Sequence, residues 1–156
     1  LDVHRLVAVC PGAEFGPIKQ WPLENYASLV NELLASGHQV VLLGSPNDVK
    51  DAEIIIQNLS AAAKDALKNL TGKTSIPEVI DIIGLAQAAV TNDSGLMHVA
   101  AATGCSIIAL FGPSSPLHTP PLSKKAVILE SASGNMSDIS VDDVFDALSN
   151  RIQLIV

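Results

Sequence analysis

The segment "VTNDSGLMHVAAATG", residues 90–104, sets an acid, a hydroxyl, a glycine and an imidazole close together as Asp93, Ser94, Gly95 and His98. An apolar run leads in and an alanine stretch leads out, so the chain passes here from a strand into a helix. The first amides of such a helix, those of Ser94, Gly95 and Leu96, lack intrahelical partners and lie at the positive end of its dipole. That geometry binds anions. Gly95 admits a ligand close to the backbone, Ser94 adds a hydroxyl donor, and His98 lies one turn beyond Ser94 on the same face. Asp93 would repel phosphate, which leaves it hydroxyl recognition or the holding of the loop. Two plainer roles stay open on this stretch alone: Asp93 or Ser94 as an N-cap, and His98 as a core histidine bonded to a carbonyl.

A second segment, "CPGAEFGPIKQWP" at residues 10–22, carries glycines and the cation Lys19 in a chain with only 9 Lys+Arg. On a loop after the first strand, Lys19 is placed to hold a phosphate as a point charge. A solvated surface lysine is the alternative. Convergence of both loops on one cleft edge favours the functional role.

Those loops need a scaffold that brings them to one edge. The chain has 156 residues, 48% of them hydrophobic, 16% charged and 3% aromatic. Such a composition suits one domain whose Val, Ile, Leu and Ala side chains fill both faces of a covered sheet. Strands are predicted at 6–10, 39–43, a short piece at Asn69 and Leu70, then 88–91, 106–111 and 126–129. Helices are predicted at 23–36, through Ile54, Ile55 and Leu59 with the alanine-rich stretch to Leu67 as a candidate extension, at 76–86 with Pro77 in the first turn, and at 95–103. A last one, 141–152, is entered through Asp142 and Asp143. This alternation implies an α/β, Rossmann-like doubly wound parallel sheet. Ligands of such sheets bind outside the carboxyl ends of the strands, so the loops 11–21, 44–48, 71–75, 92–95 and 112–121 are candidate walls of one site.

The net charge of −7 excludes a nucleic-acid surface, which clusters Lys and Arg. Cys10 and Cys105, the 2 cysteines, have no CxxC or metal-ligand spacing and are expected to be buried free thiols in a reducing compartment. The apolar runs are strand-sized, and no transmembrane segment or signal peptide is expected. The expectation is a soluble, cytoplasmic protein.

"DSGLMHVAAA", preceded by "VTN" and followed by an apolar strand and "FGPSSP", resembles the signature of the ADP-heptose:lipopolysaccharide heptosyltransferases. "CPGAEFGPIKQWP" and "VVLLGSPND" look most like the heptosyltransferase II branch of that family. The likeness runs from Leu6 to Lys125 and resumes at 136–148. It implies that residues 1–156 are the nucleotide-sugar (donor) binding domain, the C-terminal half of a GT-B glycosyltransferase, with the N-terminal acceptor domain absent.

Carried over by position, Lys19 faces the diphosphate, Ser94 and Gly95 donate to the phosphates, Asp93 contacts the donor sugar, and His98 lies beside that site. The turn with Ser45 and Asp48, and the segment Lys73, Thr74 and Ser75, approach ribose and adenine. The family implies ADP-heptose as substrate, a lipopolysaccharide core acceptor reached through the other domain, and inverting transfer with neither metal nor cofactor. Its general base lies in the absent half, so no catalytic residue is expected here, and this chain alone should bind nucleotide without transferring sugar. A peripheral place at the inner membrane is open for the full-length enzyme. Self-association is open too, through the surface that the other half would cover.

One departure stands out. Family members of this type carry a cysteine-containing insertion between the last strand and the final helix, where this chain has only "ESASGNMSDIS", a bridge that looks trimmed or engineered. Two other readings compete: the donor domain of another GT-B enzyme (a nucleotide-sugar epimerase or a different transferase), and a non-catalytic engineered α/β scaffold that keeps the motif as caps.

Overall fold

Alternation of apolar strands and amphipathic helices produces, in the computed structural model, the elements β1 (Leu6–Cys10), α1 (Leu23–Ala35), β2 (Gln39–Leu42), α2 (Val49–Gln57), α3 (Ala61–Ala66) and β3 (Lys68–Asn69). They continue as α4 (Ile76–Leu85), β4 (Ala88–Asn92), α5 (Gly95–Thr103), β5 (Ser106–Phe111), β6 (Ala126–Glu130) and α6 (Val141–Ser149). The structure describes residues 2–14 and 16–152. All strand pairs are parallel, in the order β3-β2-β1-β4-β5-β6.

Every residue of β1 and β4 is buried, as a strand covered on both faces requires. The period-2 alternation divides the core in two. Val7, Val9, Val90 and Ile108 pack with Tyr26, Leu29 and Leu33 of α1, Ile55 of α2 and Val144 and Leu148 of α6. Ala8, Cys10, Ala89 and Ile107 pack on the other face with Val79 and Ile83 of α4 and Met97 and Ala100 of α5. The sheet is thus doubly wound. Strand order reverses between β1 and β4, whose following chains leave in opposite directions, and the carboxyl ends of these two strands are the place where doubly wound sheets bind their ligands in a crevice.

Most predicted elements fall where the patterning puts them; three differ. The helix through Ile55 does not run on to Leu67. Ser60 breaks it, accepting a hydrogen bond from the Ala63 amide at 3.1 Å and so capping a separate helix, while its own amide donates to Asn31 Oδ1 at 3.1 Å. The third strand comes one residue early, at Lys68–Asn69. The last helix is capped by Ser140, whose Oγ accepts from the Asp143 amide at 3.0 Å, and it ends at Ser149, past which the Arg151 amide makes a tighter 3₁₀-type bond to Leu148 O at 2.8 Å.

Both cysteines are buried free thiols. Burial, with Cys105 and Asp48 adding to it, pushes the Cys10 thiol up to about 12; burial lifts Cys105 to about 11 against the opposing pull of Lys125. The reactive species is the thiolate, and at pH 8 it makes up only about one part in a thousand or less of either residue. Iodoacetamide followed by mass spectrometry should therefore leave both unlabelled in native buffer and label both in concentrated urea. Native labelling of Cys10 at the rate of a free thiol would mean that the carboxyl end of β1 opens in solution. Among the described residues no helix is long and apolar enough to cross a membrane.

Candidate functional site

The crevice is held together by a residue that sequence reading placed in the 92–95 loop without giving it a role of its own. Asn92, fully buried at the end of β4, accepts at Oδ1 from the Trp21 amide (3.0 Å) and the Tyr26 hydroxyl (2.7 Å). Its Nδ2 donates to Pro11 O (2.8 Å) and Gly12 O (3.1 Å). Gln20 Nε2 adds a second donor to Pro11 O at 2.9 Å, and Trp21 Nε1 donates to Ile139 O at 2.8 Å. One amide thereby fixes both ends of the loop that carries Lys19. Trp21 and Tyr26 close the arrangement from below in an edge-to-face pair, centroids 4.9 Å apart.

The next residue, Asp93, is only 7% exposed. A carboxylate so buried needs donors, and it has three. Oδ2 accepts from Ser114 Oγ at 2.6 Å and from Thr119 Oγ1 at 3.4 Å, and lies 3.5 Å from Lys19 Nζ; Oδ1 is 3.3 Å from Thr119 Oγ1. The two motifs singled out in the sequence therefore meet, and the loop after β5 joins them. Ser94 occupies the N-cap position of α5 but makes no side-chain cap bond, so its hydroxyl is not spent on the helix. Gly95 is exposed, and the Glu14 carboxylate stands over it: Oε1 lies 3.0 Å from where a Cβ would sit. His98 is exposed on α5 and so is not a core histidine.

The neighbouring loops continue the same edge. Asp48 Oδ2 accepts from the Ser45 amide (2.8 Å) and hydroxyl (3.1 Å), locking that turn. Gly12 and Gly44 both crowd Asp48, with Cβ positions 2.6 and 2.8 Å from Oδ2, so a side chain at either would displace it. Gly72 N donates to Gly44 O at 2.9 Å, which ties the 71–75 loop to the 44–48 turn. In that loop Ser75 is engaged as the cap of α4, its Oγ accepting from the Glu78 amide at 3.4 Å. Thr74 Oγ1 is buried without a partner, and Lys73 Nζ is 3.4 Å from Asn69 O. Lys19 and Asp93 thus touch directly, whereas Ser45 and Asp48 reach them, among the described residues, by way of Gly12 and Asn92. An open groove of about 600 Å³, with Ile18, Gln20 and Pro22 on one side and Asn135 and Met136 on the other, lies beside Lys19 and is not lined by Asp93 or Ser94.

A family model described as glycosyltransferase family 9 (heptosyltransferase) matches residues 2–148. The chain belongs to that family. It is 46% identical over 143 residues to lipooligosaccharide heptosyltransferase 2 of Haemophilus influenzae, covering 92% of this chain and 41% of that protein. It is 46% identical over 129 residues to lipopolysaccharide heptosyltransferase 2 of Escherichia coli K12, covering 83% and 37%. The solved structure of E. coli ADP-heptose heptosyltransferase II superposes with a TM-score of 0.90 at 41% identity, over 96% of this chain and 47% of that one. The family 9 chain described here therefore spans about two fifths of the length of those curated relatives.

Sequence reading missed Asn92, Ser114, Thr119 and Glu14. Glu14 carried a usable signal, an acid inside a glycine-flanked loop. The other three are ordinary turn residues until their partners, distant in sequence, are known.

Proposed function

We propose that this chain is the ADP-heptose-binding part of a glycosyltransferase that adds heptose to the inner core of lipopolysaccharide. The observation that carries the reading is the meeting of Lys19 with Asp93 beside the open N-terminus of α5, at the point where strand order reverses, in a family 9 chain. Lys19 and the amides of Ser94 and Gly95 take the diphosphate, and Ser94 Oγ adds a donor. Asp93 takes a sugar hydroxyl, and His98 borders that position. The turn of Ser45 and Asp48, with Thr74 and Ser75, flanks ribose and adenine. The leaving diphosphate is met by Lys19 and helix amides, with no metal ion and no cofactor. The acceptor and the base that deprotonates its hydroxyl belong to the remainder of the enzyme, so this chain alone binds donor without transferring sugar. A nucleotide-linked substrate and two buried free thiols fit action in the cytoplasm.

Calorimetric titration with ADP, UDP and ADP-heptose tests the reading. ADP should bind in preference to UDP, ADP-heptose at least as tightly, and a chelator should change neither. Preference for UDP would move the chain to another GT-B donor specificity; a folded chain that binds no nucleotide would leave the motif as architecture. Glu14 supplies an independent check, because its carboxylate stands where the phosphates must approach. Like charges repel there. Glu14→Gln should tighten ADP about 3- to 10-fold and leave the unfolding midpoint unmoved; weakened ADP binding would instead make Glu14 a ligand contact.

A further inference from the structure

Lys19 sits beside a carboxylate, an awkward place for a lysine meant to receive phosphate. A direct ammonium–carboxylate hydrogen bond closes to about 2.7–2.9 Å. Here the bond from Nζ to Asp93 Oδ2 is a long one, 3.5 Å. The same oxygen is already taken at 2.6 Å by Ser114 Oγ, with Thr119 Oγ1 at 3.4 Å and at 3.3 Å from Oδ1. Both hydroxyls come from the loop after β5, 21 and 26 residues further along the chain. They take up the Lys19-facing oxygen Oδ2 of a carboxylate that burial leaves short of water, without adding charge, and leave acceptor positions on Oδ1 open.

We propose that Ser114 and Thr119 are positioning residues for the diphosphate: by competing for Oδ2 of Asp93 they keep the Lys19 ammonium from closing onto it and so direct that charge toward the ligand. The inference rests on the donor-site reading above but is separable from it. Neither residue need touch the nucleotide. Their effect passes through the Asp93–Lys19 distance, and it should appear wherever phosphate is bound and nowhere else.

The experiment is the double variant Ser114→Ala, Thr119→Ala in this chain. Its crystal structure without nucleotide should show Lys19 Nζ closed onto Asp93 to about 2.8 Å. An unchanged separation, or an Asp93 side chain rotated away from Lys19, overturns the proposal whether or not ADP binds. In titrations the variant should weaken ADP and inorganic pyrophosphate about tenfold and leave adenosine unaffected. Equal weakening of adenosine together with a lowered unfolding midpoint would reduce the two hydroxyls to a structural role and overturn it. The conservative pair Ser114→Thr, Thr119→Ser keeps both donors and should restore ADP affinity to within about twofold. If the unmodified chain binds neither ADP nor pyrophosphate, the donor-site reading fails, and the Nζ–carboxylate distance alone decides the positioning role.

Discussion

Asn92→Ala should cost about 3–5 kcal/mol of folding stability, an unusually large loss for one polar side chain. Four groups lose their partner at once: the Trp21 amide, the Tyr26 hydroxyl, Pro11 O and Gly12 O. Each buried group left unsatisfied costs about 1–3 kcal/mol. Pro11 O keeps its bond from Gln20, and Gly12 lies close enough to the surface to find water, which holds the total below the sum. For a chain of this size, that corresponds to a melting temperature lower by roughly 10 °C. Tyr26→Phe removes one hydroxyl and leaves Asn92 Oδ1 its bond from Trp21, so it should cost only about 1 kcal/mol. Urea unfolding of both variants measures the two numbers. A loss below 1 kcal/mol for Asn92→Ala would mean that water replaces the amide and that the crevice is wetter than its burial indicates.

The contrast between Asn92 and its neighbours explains what could be read in advance. Strand and helix positions follow from local periodicity, and residues 6–10, 95–103 and 106–111 are found where the apolar pattern sets them. The pairing of the Lys19 loop with the Asp93 turn was also legible, because alternating strands and helices send both loops to one edge of a parallel sheet. The four-bonded role of Asn92 was not. Its partners lie 66 to 81 residues away, and no local pattern distinguishes an asparagine that binds two loops from one that merely starts a turn. Ser114 and Thr119 escaped for the same reason: the 112–121 loop was legible as a wall of the site, but nothing local picks out which of its hydroxyls reaches Asp93. Ser60 is the instructive miss among the elements: the alanines after it favour helix, but its hydroxyl starts a new one.

Lys19→Ala should weaken ADP by about 10- to 100-fold, the range expected when a charge-assisted contact worth about 1.5–3 kcal/mol is removed. Its ammonium is the cation placed against the crevice by the Pro17–Lys19 turn, with the side chain 26% exposed, so it is neither fully hydrated nor sealed. The loss should shrink as salt rises, because an ionic contact at a partly exposed site is screened. Asp93→Ala should act in the opposite sense on ADP, holding or improving its affinity, since a negative charge leaves the phosphate site. The same change should remove whatever advantage ADP-heptose has over ADP, because the sugar hydroxyl loses its acceptor. That pair of signs is the decisive result. If Lys19→Ala leaves ADP affinity within twofold in a folded chain, Lys19 is a surface lysine tethered to Asp93, and the crevice binds its nucleotide, if at all, through helix amides alone.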